Sequence, residues 1–158
     1  MRKLIPLTIV IATAGTLAAG VATSGAATTA TKETCSATNY NPAPNNLSGV
    51  YFVSDRCPAP FGNSVESGTY RSTLNMATGA GTVKGTFTHW FLTGTDHGHY
   101  SGRFQFTTAT DATYKFAITV TGGTGAFKGV DGKGTESCST TNGGATLRCR
   151  YVVELTGF

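Results

Sequence analysis

Between Thr119 and Glu136 the chain reads TVTGGTGAFKGVDGKGTE, with glycines at 122, 123, 125, 129, 132 and 134. Between the first and last of these, Phe127 and Val130 are the only large apolar side chains. Glycine lets a backbone take positive φ, bulge and approach its neighbours closely, so this run bends or closes a β-sheet rather than continuing a flat one. A phosphate-cradling loop is excluded by spacing. Gly123-x-Gly125 lacks a glycine at 128, no Gly-Lys-Ser/Thr follows, and no helical period supplies an N-terminus for an anion.

The residues on either side are strand-like. Apolar and polar side chains alternate through Tyr114, Phe116, Ile118 and Val120, and again through Leu147, Cys149, Tyr151, Val153 and Leu155, so each segment has one buried and one wet face. Strands are expected at Leu47–Ser54, Gly68–Met76, Thr82–Thr93, His97–Thr108, Thr113–Thr121, Thr135–Thr141 and Ala145–Leu155, with Ser64–Glu66 as a single helical turn. No ten-residue stretch has a 3.6 period. The chain is therefore all-β and antiparallel, a sandwich or a barrel, and periodicity alone does not separate the two.

The N-terminus has a different character. Arg2-Lys3, an apolar and small-residue run from Leu4 to about Val21, and Ser24-Gly25-Ala26 follow the order of a secretory signal peptide, predicted at 1–26. The run is too diluted by Thr and Gly for a membrane anchor, and no other segment is apolar enough to span. Cleavage after Ala26 takes 26 of the 158 residues and leaves 132, with ten Lys/Arg against eight Asp/Glu. The basic residues are scattered, so neither nucleic acid nor an anionic membrane is an expected partner. Residues 27–46, rich in Ala, Thr, Asn and Pro, read as a flexible leader, and 47–158 as one domain.

Four cysteines in an exported chain predict two disulfides, and no Cys-x-x-Cys spacing supports zinc. The local pairing, Cys35 with Cys57 and Cys138 with Cys149, is preferred. A turn at Gly143-Gly144 places Cys138 opposite Cys149, on the face of Tyr151 and Val153. Glu136, two residues before Cys138, then shares that face opposite Tyr151, which directs a carboxyl group into the interior. Burial makes such a group hard to ionise, as a general acid or base requires, although a structural role at the barrel mouth is an equal alternative.

A two-residue turn at Gly94-Thr95 would set Phe91 opposite Gly98, His89 opposite Tyr100 and Phe87 opposite Gly102, so that His89 points inward. His97 and His99 then lie on a solvated outer row with no third ligand, and no metal site is expected. No Gly-x-Ser-x-Gly elbow or nucleophile–base pair indicates a covalent hydrolase.

From Asp96 onward the order Asp96-His97-Gly98-His99, Asp111, Ala117-Ile118-Thr119, Gly122-Gly123-Thr124-Gly125-x-Phe127-x-Gly129-x-x-Gly132 and a final strand Tyr151–Phe158 resembles the allene oxide cyclase barrels. Dirigent-like proteins and bacterial polyketide cyclases carry a similar glycine run. The resemblance implies an antiparallel barrel of about eight strands, no cofactor, and subunit association. It also implies a lumen holding a small, largely apolar or oxygenated molecule and directing its cyclisation or isomerisation. The first half of the chain carries no family motif, and Glu136 stands where the family tends to have an apolar residue.

On this reading Phe87, Phe91, Phe104, Tyr114, Phe116 and Val153 line the ligand site, and Glu136, His89, Tyr100 and Tyr151 are the candidate catalytic groups. The alternative is a non-enzymatic exported ligand carrier, a dirigent-like protein or an envelope interaction module. An interior filled by its own side chains would remove both cyclase and carrier.

Overall fold

A computed structural model describes residues 29–158, and the predicted signal peptide lies outside them. Eight antiparallel strands close into a barrel in sequence order. They are β1 (Thr31–Tyr40), β2 (Ser48–Arg56), β3 (Ser64–Leu74), β4 (Ala80–Phe91), β5 (Gly94–Phe106), β6 (Ala112–Gly125), β7 (Asp131–Thr140) and β8 (Thr146–Thr156). Closure removes the exposed sheet edges that an open sheet would leave. No helix among the described residues is long and apolar enough to cross a membrane.

The segment expected to be a flexible leader is instead largely strand β1. It pairs with β8 along Thr31–Tyr40 and with β2 along Ser36–Tyr40, and without it the barrel has no seam. Its inward residues are Glu33, Cys35, Ala37 and Asn39, so its alternation is carried by polar and small side chains that periodicity of apolar residues does not register.

The glycine run acts as expected. Opposite His97/Gly98 the register jumps from Gly122 to Val120, leaving Thr121 as the extra residue of a bulge. Gly125, at φ 61°, then turns the chain out of β6 into the loop that carries Phe127 inward.

The β4–β5 hairpin turns four register units from the expected place. Leu92 and Thr93 form the turn, Phe91 faces Gly94, His89 faces Asp96 and Phe87 faces Gly98. The difference is even, so the inward face of the pair is preserved. Two interactions explain it: the Phe87 ring fills the space over Gly98, where an added Cβ would lie 2.8 Å from Phe87 Cζ, and His89 gains the Asp96 carboxylate. These outweigh a glycine in the first turn position.

Both expected disulfides are present, Cys35–Cys57 and Cys138–Cys149, and Cys138 is paired across the β7–β8 hairpin with Cys149. They are compatible with an extracellular protein.

The interior is layered along the barrel axis. At the end formed by the β2–β3, β4–β5 and β6–β7 loops, Phe61, Phe91, Phe127 and Phe158 pack ring on ring over the wholly buried Val130 and Leu155. Phe91 was expected to touch ligand, but it stacks on Phe127 at 4.5 Å in this plug. A polar layer follows, then an aromatic layer that opens at the opposite end. The outer face of the strands carries a group of exposed apolar residues, Tyr40, Val50, Phe52, Val65 and Trp90, and Leu47, Met76 and Leu92 are exposed in the loops.

Candidate active site

The polar layer is built by strand alternation. Inward positions of β3, β4 and β5 put Glu66, His89 and Asp96 directly opposite one another, forming a cross-strand row of carboxylate, imidazole and carboxylate. His89 Nδ1 lies 2.7 Å from Asp96 Oδ1, and Nε2 meets the Glu66 carboxylate. Asp55 Oδ2 is 4.0 Å from Nε2 and accepts a hydrogen bond from the Ser64 hydroxyl at 3.1 Å. The Tyr151 ring stacks on the imidazole at 5.8 Å, and its hydroxyl donates to Glu33 Oε1 at 3.2 Å.

Glu136 lies opposite Tyr151 and Phe116, as the hairpin argument requires, and faces the same chamber. The Tyr151 hydroxyl is engaged by Glu33 from β1 rather than by Glu136.

Electrostatics follow from this crowding. Burial pushes Glu136 up to about 8, with Glu66 and Asp55 adding to the rise and His89 opposing it. Burial likewise raises Glu33 to about 7 and Asp55 to about 6, in both cases against the attraction of His89. For His89, burial favours the neutral ring, but Glu66 and Asp96 outweigh it and hold the imidazolium well above its ordinary range. Burial raises Tyr151 and Tyr100 as well, so both hydroxyls keep their protons.

A chamber of about 50 Å³ sits among Glu33, Glu66, His89, Asp96, Glu136 and Tyr151. Beyond it lies a cavity of about 780 Å³, open at the end formed by the β1–β2, β3–β4, β5–β6 and β7–β8 loops. Tyr70, Phe104, Phe106, Tyr114, Leu74 and Leu147 line that cavity. Asn39, Tyr51, Tyr100 and Phe116 border both spaces and form the partition between them.

No family model matches the chain, and no curated protein or solved structure does. The site must be read from its own chemistry.

Of the sequence-predicted residues, Glu136, His89, Tyr100 and Tyr151 all border the chamber, as do Phe87, Phe116 and Val153. Phe104 and Tyr114 line the outer cavity, and Phe91 neither. His97 and His99 are exposed on the outer face of β5. The residues missed are Glu33, Asp55, Glu66 and Asp96. Asp55 continues the inward series Tyr51, Val53, and Asp96 continues the inward even-numbered series of β5. Extending those alternations past the apolar positions would have found both. Glu66 was hidden because Ser64–Glu66, read as a helical turn, is the start of β3.

Asp55, Glu66 and His89 each offer a ligand atom within 4.8 Å of the others, the spacing of a divalent-cation site. The other two groupings with that spacing include disulfide cysteines, whose sulfurs are no longer free thiolates. With Asp96 on one nitrogen and Glu66 on the other, His89 is equally suited to being a held imidazolium that positions protons.

Proposed function

We propose that this is an exported barrel that takes a small, largely apolar molecule into its open end and directs its cyclisation or isomerisation, as the allene oxide cyclase-like glycine run implies. The observation that carries the reading is the stacking of an aromatic cavity of about 780 Å³ directly above a buried acid–imidazole layer. The cavity's size suits a metabolite-sized ligand. Its rings hold an apolar body in one folded shape, which is the orientational part of catalysis.

The polar layer supplies proton transfer. Glu136, held protonated by burial, donates a proton to one atom of the substrate. A carboxylate of the Glu66–His89–Asp96 row accepts the proton that leaves another atom. The substrate's mass is unchanged, and return of the proton across the chamber restores the enzyme. The Tyr151 ring, held by its hydroxyl's hydrogen bond to Glu33, positions the imidazole by stacking.

A carrier role is the second reading. It is favoured by the contrast in size between the open cavity and the chamber, which keeps most of any ligand away from the acids.

Native mass spectrometry of the protein purified from its own host, followed by incubation of the released molecule with fresh protein, tests both. Catalysis predicts a product of equal mass and altered chromatographic retention, formed by wild type and not by Glu136→Gln. A bound molecule returned unchanged would leave the carrier.

A further inference from the structure

Charge is segregated across the barrel wall. Five of the eight acidic residues, Glu33, Asp55, Glu66, Asp96 and Glu136, face the lumen, contributed by β1, β2, β3, β5 and β7. Every Lys and Arg among the described residues is exposed, and so are His97 and His99. His89 is therefore the one basic side chain inside. Three buried and two half-buried carboxyl groups around one imidazole hold less positive charge than they can accommodate, and charges in such a setting are retained only when paired. Three buried side-chain oxygens have no hydrogen-bond partner among the described residues: Asn39 Oδ1 at the partition, and Asp55 Oδ1 and Asp96 Oδ2 in the acidic layer, the last two on residues that are 1 % and 0 % exposed.

The aromatic layer has the same preference. The hydroxyls of Tyr100, Tyr70 and Tyr51 donate to wall carbonyls, of Thr69 at 3.1 Å, Ala43 at 3.0 Å and Thr86 at 3.4 Å. These tyrosines therefore offer the cavity ring surface rather than O–H donors. Ring faces attract cations and give no purchase to an anion. A carboxylate or phosphate ligand would find neither a basic group nor a free donor from these three tyrosines, above a layer of acids.

Resting on the reading of the lumen as a small-molecule site, we propose that its ligand is a primary amine bound as the ammonium ion. Its apolar body occupies the outer cavity, and its head passes the Tyr51–Tyr100–Phe116 partition to face Glu66 and Glu136. The chamber of about 50 Å³ has room for a three-donor head and a water, whereas a trimethylammonium is too bulky. An ammonium supplies both the missing charge and the donors that the acidic layer lacks.

The test uses the disulfide-bonded exported protein and four probes of one chain length: octylammonium, octanol, octanoate and octyltrimethylammonium, titrated calorimetrically at pH 7. Octylammonium is expected to bind at least about tenfold more tightly than octanol, with octanoate weakest and octyltrimethylammonium below octylammonium. The preference should diminish as pH is lowered to 4.5, because octylammonium keeps its charge while Glu33 and Asp55 take up protons beside His89, Tyr51, Tyr100 and Tyr151, Glu136 being already protonated at pH 7. In Glu66→Gln/Glu136→Gln the preference should vanish while octanol still binds. The pH series on wild type stands alone if that variant does not fold. Octanol or octanoate binding as tightly as octylammonium would overturn the amine and leave the apolar cavity standing. Failure of all four probes to bind would instead remove the small-molecule reading itself. Binding of Mn²⁺ that octylammonium does not displace, with the amine no better than octanol, would assign the layer to a metal ion and overturn the proposal.

Discussion

Glu136→Gln should stabilise the protein, and by an amount that depends on pH in a way fixed by the site. The folded barrel holds this carboxyl up at about 8, against an ordinary value of 4.5. Folding therefore favours the protonated form. Its contribution is fully present below pH 4.5, declines as pH rises, and is lost once pH passes about 8. Each unit of difference corresponds to about 1.4 kcal/mol, so the 3.5-unit span gives a ceiling of about 5 kcal/mol. Glutamine has nearly the same shape and does not titrate. The difference in unfolding free energy, variant minus wild type, should be near its minimum at pH 4.5, rise by at most about 1.4 kcal/mol per unit, and level off above pH 8. Urea denaturation at half-unit intervals from pH 4.5 to 9, with both disulfides intact, measures it. Taking the difference cancels the titration of Glu33, Asp55 and His89 to the extent that they do not couple to Glu136. A difference that is flat across the range, or one that favours wild type more as pH rises, would refute the account of Glu136 as a buried, neutral acid.

Other perturbations probe the remaining layers. Replacing Cys138 and Cys149 together by alanine opens a loop of 11 residues and should cost about 3 kcal/mol in chemical denaturation, without changing the barrel's circular dichroism. His89→Gln leaves Asp96 and Glu66 without their shared cation and should cost about 3–5 kcal/mol at pH 7 by the same assay. Phe127→Ala removes the wholly buried ring that Phe61, Phe91 and Phe158 pack against, an expected loss of about 3–5 kcal/mol in thermal or urea unfolding.

What the sequence made legible follows apolar alternation. Strands β6 and β8, with Phe116, Ile118 and Val120 or Tyr151, Val153 and Leu155 on one face, were readable, and through them the Cys138–Cys149 register and the inward Glu136. Where the lumen is polar the same rule failed. Strand β1 presents Glu33 and Asn39 inward, β3 begins with Ser64 and Glu66, and Asp96 ends the inward row of β5, so an acidic site looked like loop, turn or surface. The hairpin register failed for a related reason. Turn chemistry favours glycine first, but here a His–Asp pair and a ring lying on Gly98 decide the alignment, and neither is a local property of the turn.

Strand β1 also sets the order in which the barrel can be assembled. It pairs along its whole length with β8, the last strand of the chain, and with β2 only from Ser36 to Tyr40. A chain released N-terminus first has to wait for its final strand before the seam can form, with β1 exposing its acid-bearing face until then. Contacts so distant in sequence are the slowest to form. The Cys35–Cys57 bond lies on the β1 stretch that has no β2 partner, so oxidation of that pair tethers the waiting strand to its neighbour. The thiol chemistry of the surroundings would then govern how quickly the cylinder shuts.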